Sequence, residues 1–116
     1  MAVRKNSRQK GKRGELDAAH ELARLFSWHA RRTQQFKGTS DSSDVEVEET
    51  PELFWEVKRV ERLNVCDAVA TAAATAGTKL PVLLHRRNNT DWLVTVRLED
   101  LGRVAGIVSQ ANAKTE

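Results

Sequence analysis

Ser43-Asp44-Val45-Glu46-Val47-Glu48, followed after Glu49-Thr50-Pro51-Glu52 by Leu53-Phe54-Trp55-Glu56-Val57-Lys58-Arg59-Val60, is the stretch that decides the fold. Both halves alternate with the period of two that a β-strand imposes, and a Pro-containing turn separates them, so together they read as a hairpin. On the first strand Asp44, Glu46 and Glu48 share one face and Val45 and Val47 the other. On the second, Phe54, Glu56, Lys58 and Val60 oppose Trp55 and Val57. If the valines and the tryptophan enter a core, paired residues share a face and every cross-strand pair has position numbers of even sum. Asp44 then lies opposite Glu56 or Lys58. Either register gathers at least two carboxylates and an ammonium within a few ångströms.

Outward from this hairpin the chain alternates helical and extended patterns. Upstream, Leu16, Ala19, Ala23 and Phe26 recur at helical steps, so a helix is expected from Gly14 to Trp28, with Glu15 in its first turn. A strand at His29 to Gln34 follows. Downstream, a helix runs from Val65 to Ala76 with Asn64 as N-cap and Gly77 at C′, its apolar face formed by Val65, Val69, Ala72, Ala73 and Ala76. Strands at Leu80 to Arg86 and Trp92 to Leu98 are joined by the Asn88-Asn89 turn. A weaker helix at Glu99 to Ser109 precedes a tail at 110–116 that reads as frayed. The order αβββαββα defines an α/β fold: a mixed sheet flanked by helices, its parallel pair joined by a right-handed crossover.

The 116 residues, 40% of them apolar, suffice for one domain. The longest uncharged run, Ala68 to Thr78, is far short of the roughly 20 apolar residues that span a bilayer, so no membrane partner is expected. Charge is unevenly spread. Arg4, Lys5, Arg8, Lys10, Lys12 and Arg13 give +6 in the first 13 residues with no acid among them, and the rest of the chain sums to −3. Residues 1–13 are therefore read as a basic arm, 14–109 as the domain. Such an arm is a footprint of nucleic-acid contact or, equally, a solvated terminus. No apolar segment follows it as in a signal peptide, and the lone Cys66 forms no intrachain disulfide, so an intracellular, cytoplasmic protein is expected.

The chemistry points to the carboxylates. Two or three brought together raise the pKa of at least one unless a cation compensates. Lys58 neutralises one charge, and a hard divalent ion such as Mg²⁺, held by one or two carboxylates with retained waters, satisfies the rest. Such an ion polarises a phosphodiester and lowers the pKa of an attacking water. Glu15 is placed to add a third carboxylate from its helix. Glu46 and Glu48 are better read as facing water. Other chemistries drop out: His20, His29, His85 and Cys66 lack zinc spacing, and neither a P-loop nor a G-x-S-x-G elbow is present. Trp28, Trp55 and Trp92 are expected to pack rather than to stack on bases.

Asp44 followed by Glu56-Val57-Lys58 resembles the D…ExK core of PD-(D/E)xK nucleases. With Gly14-Glu15 opening a helix, Arg31-Arg32 on the next strand, the alanine-rich helix, Pro81-Val-Leu-Leu-His-Arg-Arg87 and Asp91-Trp-Leu-Val94, the chain is similar to archaeal Holliday junction resolvases and their phage-encoded relatives from Lys10 to Leu101. Ser43 stands where the family motif has proline. The resemblance implies a restriction-endonuclease-like core that binds Mg²⁺, with Mn²⁺ as a substitute, through Asp44, Glu56, the Val57 carbonyl and Glu15. It implies Lys58 serving the nucleophilic water and Arg32, with Arg31, near the scissile phosphate. Gln35, Thr39 and Ser40 would lie on a loop approaching DNA, and Arg59 and Arg62 would contact its backbone, as would Lys10, Lys12 and Arg13. The expected activity is metal-dependent cleavage of branched DNA, a four-way junction above all, by a homodimer. A flap or end nuclease of the same fold and a non-catalytic nucleic-acid-binding module are the alternatives.

Overall fold

The computed structural model describes residues 7–34 and 43–115, with side chains from Gly11 onward. A five-stranded mixed sheet carries the molecule, and its strands follow the chain in simple sequence across the sheet. They are β1 (Ala30–Arg32), β2 (Val45–Val47), β3 (Leu53–Arg59), β4 (Leu80–Arg86) and β5 (Leu93–Thr95). Helix α1 (Ser7–Phe26) precedes them, α2 (Val65–Ala76) links β3 to β4, and a single 3₁₀ turn at Leu98–Asp100 leads into α3 (Leu101–Thr115). All strand pairs are antiparallel except β3 and β4, which run parallel around the α2 crossover.

The hairpin has the even-sum register expected: Val45 pairs with Trp55. One sheet face buries Val45, Val47, Trp55, Val57, Val82 and Leu84 against Ala18, Ala19 and Leu22 of α1 and Val104 and Ala111 of α3. Trp28 closes this core beside Trp55, with Phe26 stacked on it. The opposite face buries Phe54 against Ala72 and Ala76 of α2, whose small side chains let the helix lie close to the strand. Asn64 caps α2 by accepting the Asp67 N–H at 3.0 Å, and Gly77 ends it at φ 64°, a left-handed conformation that glycine adopts without Cβ strain.

Several boundaries differ from the sequence reading. Helix α1 begins at Ser7, so part of the basic segment continues the helix instead of preceding it, and it ends at Phe26, where Ser27 turns to φ 59°. It buries Ala18, Ala19 and Leu22, leaving Leu16 at 37% exposed, because docking on the sheet selects a stripe rotated from the one read from Leu16 and Ala23. Strands β1, β2 and β5 are shorter than expected, each three residues. The segment 110–115, read as frayed, continues α3 to Thr115, since Ala111 is buried in the core and holds the last turns down. No helix among the described residues is long and apolar enough to cross a membrane.

Candidate active site

Asp44 immediately precedes β2, beside the Val45–Trp55 pair that joins β2 to β3. The Asp44 backbone donates to the Trp55 carbonyl at 3.0 Å, its carbonyl accepts the Thr33 N–H at 3.0 Å, and Oδ2 accepts the Val57 N–H at 2.9 Å. A carboxylate tied by side chain and backbone to both neighbouring strands has little rotamer freedom left. A charge-assisted bond of this kind contributes about 1.5–3 kcal/mol, enough to hold the Asp44 carboxylate against β3.

Glu56, half-buried, alternates onto the face opposite Trp55 and Val57. Burial, then hydrogen-bonding proximity to Asp44 and its charge, push its pKa up to about 8, against the opposing pull of Lys58. Glu15 arrives from α1. Burial and the neighbouring Asp44 raise its pKa, while Arg32 opposes them with an Nε–H bond to Oε1 at 2.7 Å. Asp44 is thus the middle of three carboxylates drawn from helix, strand entry and strand, with Lys58 exposed two residues beyond Glu56.

Helix α1 comes this close because of Gly14. A Cβ there would stand 3.1 Å from Arg59 Cβ, and Arg59 in turn bonds Asp17 Oδ2 through Nη1 at 2.9 Å. The chain after Gly14 is thereby pinned to the end of β3, which sets Glu15 beside Asp44.

The other expected residues are placed as follows. Arg32 faces the cluster, whereas Arg31 points along the exposed side of β1 and bridges Glu46 at 3.1 Å and Glu48 at 3.2 Å. Glu46 and Glu48 therefore stay out of the cluster and pair with Arg31. Arg59 is engaged by Asp17. Lys12 and Arg13 are exposed on α1 just before Glu15, and Lys10 lies one turn earlier on the same helix. Arg62 lies past the end of β3, exposed and away from the carboxylates. Gln35, Thr39, Ser40 and residues 1–6 lie outside the described residues. Sequence reasoning missed Asp17, which anchors Arg59. No local pattern marks it, since position i+2 lies on nearly the opposite side of the helix from Glu15 and the pairing arises only when α1 docks on β3.

Among the described residues no group of three or more His, Cys, Asp or Glu side chains is placed to hold a metal ion. Burial first, and then the adjacent Asp44, disfavour a charged Glu56, and a cation beside the Asp44–Glu56 pair would relieve the second of these. Two carboxylates with open positions for water are the donor set that suits Mg²⁺, which dehydrates reluctantly and needs no full protein cage. The residues fit such an ion.

The sheet order, its one parallel pair and the helices on both faces define a resolvase-like nuclease fold. A solved structure that shares it is that of Archaeoglobus fulgidus Hjc, a Holliday junction resolvase from an archaeal hyperthermophile, with a TM-score of 0.51 over 72% of this chain and 74% of that one at 18% identity. No family model and no curated protein matches the sequence.

Proposed function

We propose that the protein is a Mg²⁺-dependent endonuclease that hydrolyses phosphodiesters in branched DNA, as a Holliday junction resolvase acting as a homodimer. The observation that carries this reading is the position of Asp44 between Glu15 and Glu56, on a fold shared with a junction resolvase. A binding module facing a polyanion gains nothing from adjacent carboxylates, whereas metal-dependent phosphodiester hydrolysis uses them to hold the cation.

Asp44 and Glu56, with the Val57 carbonyl, would hold the ion, and Glu15 would complete its surroundings directly or through water. A bound Mg²⁺ supplies Lewis acidity toward the phosphoryl oxygens and lowers the pKa of a coordinated water. Lys58 orients the attacking water and offers a positive charge to the developing oxyanion. Arg32, bound to Glu15 through one edge, retains guanidinium N–H donors for a phosphate oxygen. A four-way junction has approximate two-fold symmetry, and paired cuts on opposite strands need two sites, which a C2 dimer presents.

The test is incubation with four-way, flap and linear DNA, each with Mg²⁺ and with chelator. Paired nicks in the four-way junction, abolished by chelator, are expected. Cleavage of flaps or ends alone reassigns the substrate, and binding without cleavage of any DNA overturns the nuclease reading.

A further inference from the structure

A groove of about 610 Å³ lies beyond the C-terminal ends of β3 and β4, at the start of α2. Its apolar floor includes Val60, Leu63 and Leu93, and its rim carries Arg62, Arg86 and Arg87. Arg24, Arg31, Arg32, Arg59 and Arg97 are each held by a carboxylate. The three groove arginines are in no ion pair among the described residues. Arg86 is steadied over the Trp92 ring, 5.5 Å from its centroid. The acids nearby are Glu61 and Asp91, with Glu21 of α1 close enough to Arg86 to feel its charge without forming an ion pair with it. Glu61 Oε1 accepts the Asn88 N–H at 2.9 Å and so fixes the turn that presents Arg87, instead of neutralising an arginine.

We infer that this groove binds the sugar-phosphate backbone of a nucleic-acid strand, at a second contact separate from the carboxylate cluster; the inference rests on the nuclease reading above. A strand backbone alternates an apolar deoxyribose face with a phosphate, and the groove offers an apolar floor bordered by unpaired guanidinium groups suited to bidentate phosphate contact. The sheet supplies the alignment. Glu56 and Lys58 share the face of β3 that runs on toward Val60, about 13 Å from Glu56 at ~3.3 Å per residue. The groove therefore takes a backbone segment to one side of the cut, and its contacts are indifferent to base sequence and to branching.

The test compares the wild-type chain with an Arg62→Gln/Arg87→Gln variant, both exposed positions outside the cluster, and uses Glu56→Gln as a control. Fluorescence anisotropy with labelled four-way junction and linear duplex, in chelator so that nothing is cut, gives affinity across a salt series. The double variant should lower the slope of log K against log salt by about 1.8 on both DNAs, since each phosphate contact contributes about 0.9. Wild type should thus lose about tenfold more affinity than the variant between 50 and 200 mM salt. Glu56→Gln should leave the slope unchanged. A wild-type slope retained by the double variant overturns the groove assignment and leaves the nuclease reading standing. Absence of DNA binding by wild type overturns the nuclease reading itself.

Discussion

Arg32 donates its Nε–H to Glu15 Oε1 at 2.7 Å, joining β1 to the helix that overhangs the carboxylate cluster. Burial and the Asp44 charge both favour a protonated Glu15, and this guanidinium is the group that opposes them. Arg32→Gln should therefore raise the Glu15 pKa further. Where cleavage needs ionised Glu15, the acid limb of a single-turnover pH–rate profile moves to higher pH. Losing a charge-assisted bond of about 1.5–3 kcal/mol should slow cleavage about 10- to 100-fold below that limb. An unshifted limb with a lowered plateau would place Arg32 on the substrate alone.

Glu56, with its pKa near 8 in the folded chain and 4.5 as a free side chain, binds a proton more tightly folded than unfolded. Folding stability accordingly falls as pH rises from about 4.5 to 8. Glu56→Gln removes that dependence. In chelator, the variant should melt higher than wild type at pH 8 and above, the two curves converging toward pH 4.5, while cleavage is abolished. Coincident melting curves at every pH would remove the unfavourable ionisation from the account.

The same raised pKa makes ion binding release a proton at pH 7. Titration calorimetry in two buffers of different ionisation enthalpy should show the release in wild type. It should be diminished in Asp44→Asn, because Asp44 is, after burial, the main cause of the Glu56 shift.

His29 and Glu49 form a staple between the α1–β1 connection and the β2–β3 turn, with His29 Nδ1 and the His29 backbone N–H each 2.7 Å from the carboxylate. The hydrogen bond to Glu49 raises the His29 pKa, aided by the charges of Glu49 and Glu48. Burial works against ionisation of Glu49, yet the bonds from His29 outweigh it and lower its pKa. The histidine contribution is full below pH 6.5 and is lost as pH rises through its raised pKa. The glutamate contribution is present above 4.5 and is lost as pH falls through its depressed one. Their joint effect is greatest between about pH 4.5 and 6.5, so His29→Gln should lower the melting temperature most in that window and least at higher pH, removing the decline that wild type shows above pH 6.5.

Gly14→Ala sets helix propensity, worth about 1 kcal/mol in its favour, against a Cβ 3.1 Å from Arg59 Cβ. Arg59 or α1 must yield by a few tenths of an ångström. Melting temperature should change little, and cleavage should fall because Glu15 is the next residue. Equal cleavage by the two chains would show that the cluster tolerates the shift.

The hairpin and α2 were legible because alternation, turn chemistry and capping all act locally: Val45–Trp55 pairing and the Asn64-to-Gly77 helix follow from adjacent residues. The buried stripe of α1 was not, since Ala18 and Leu22 face inward only once the helix docks on β2 and β3. The clustering of Glu15, Asp44 and Glu56 could be anticipated from parity and motif spacing. The partners of Arg31 and Arg59 could not, because Glu46, Glu48 and Asp17 reach them through tertiary approach. The continuation of α3 depends likewise on Ala111 finding the core from a long way along the chain.

The three carboxylates come from three separate pieces of chain, none of which holds a neighbour's place without the sheet. On the nuclease reading proposed above, hydrolytic competence would therefore be a property of the finished molecule. A chain with α1 undocked or β2 unpaired would lack the assembled carboxylates, and cutting would wait on the folding transition.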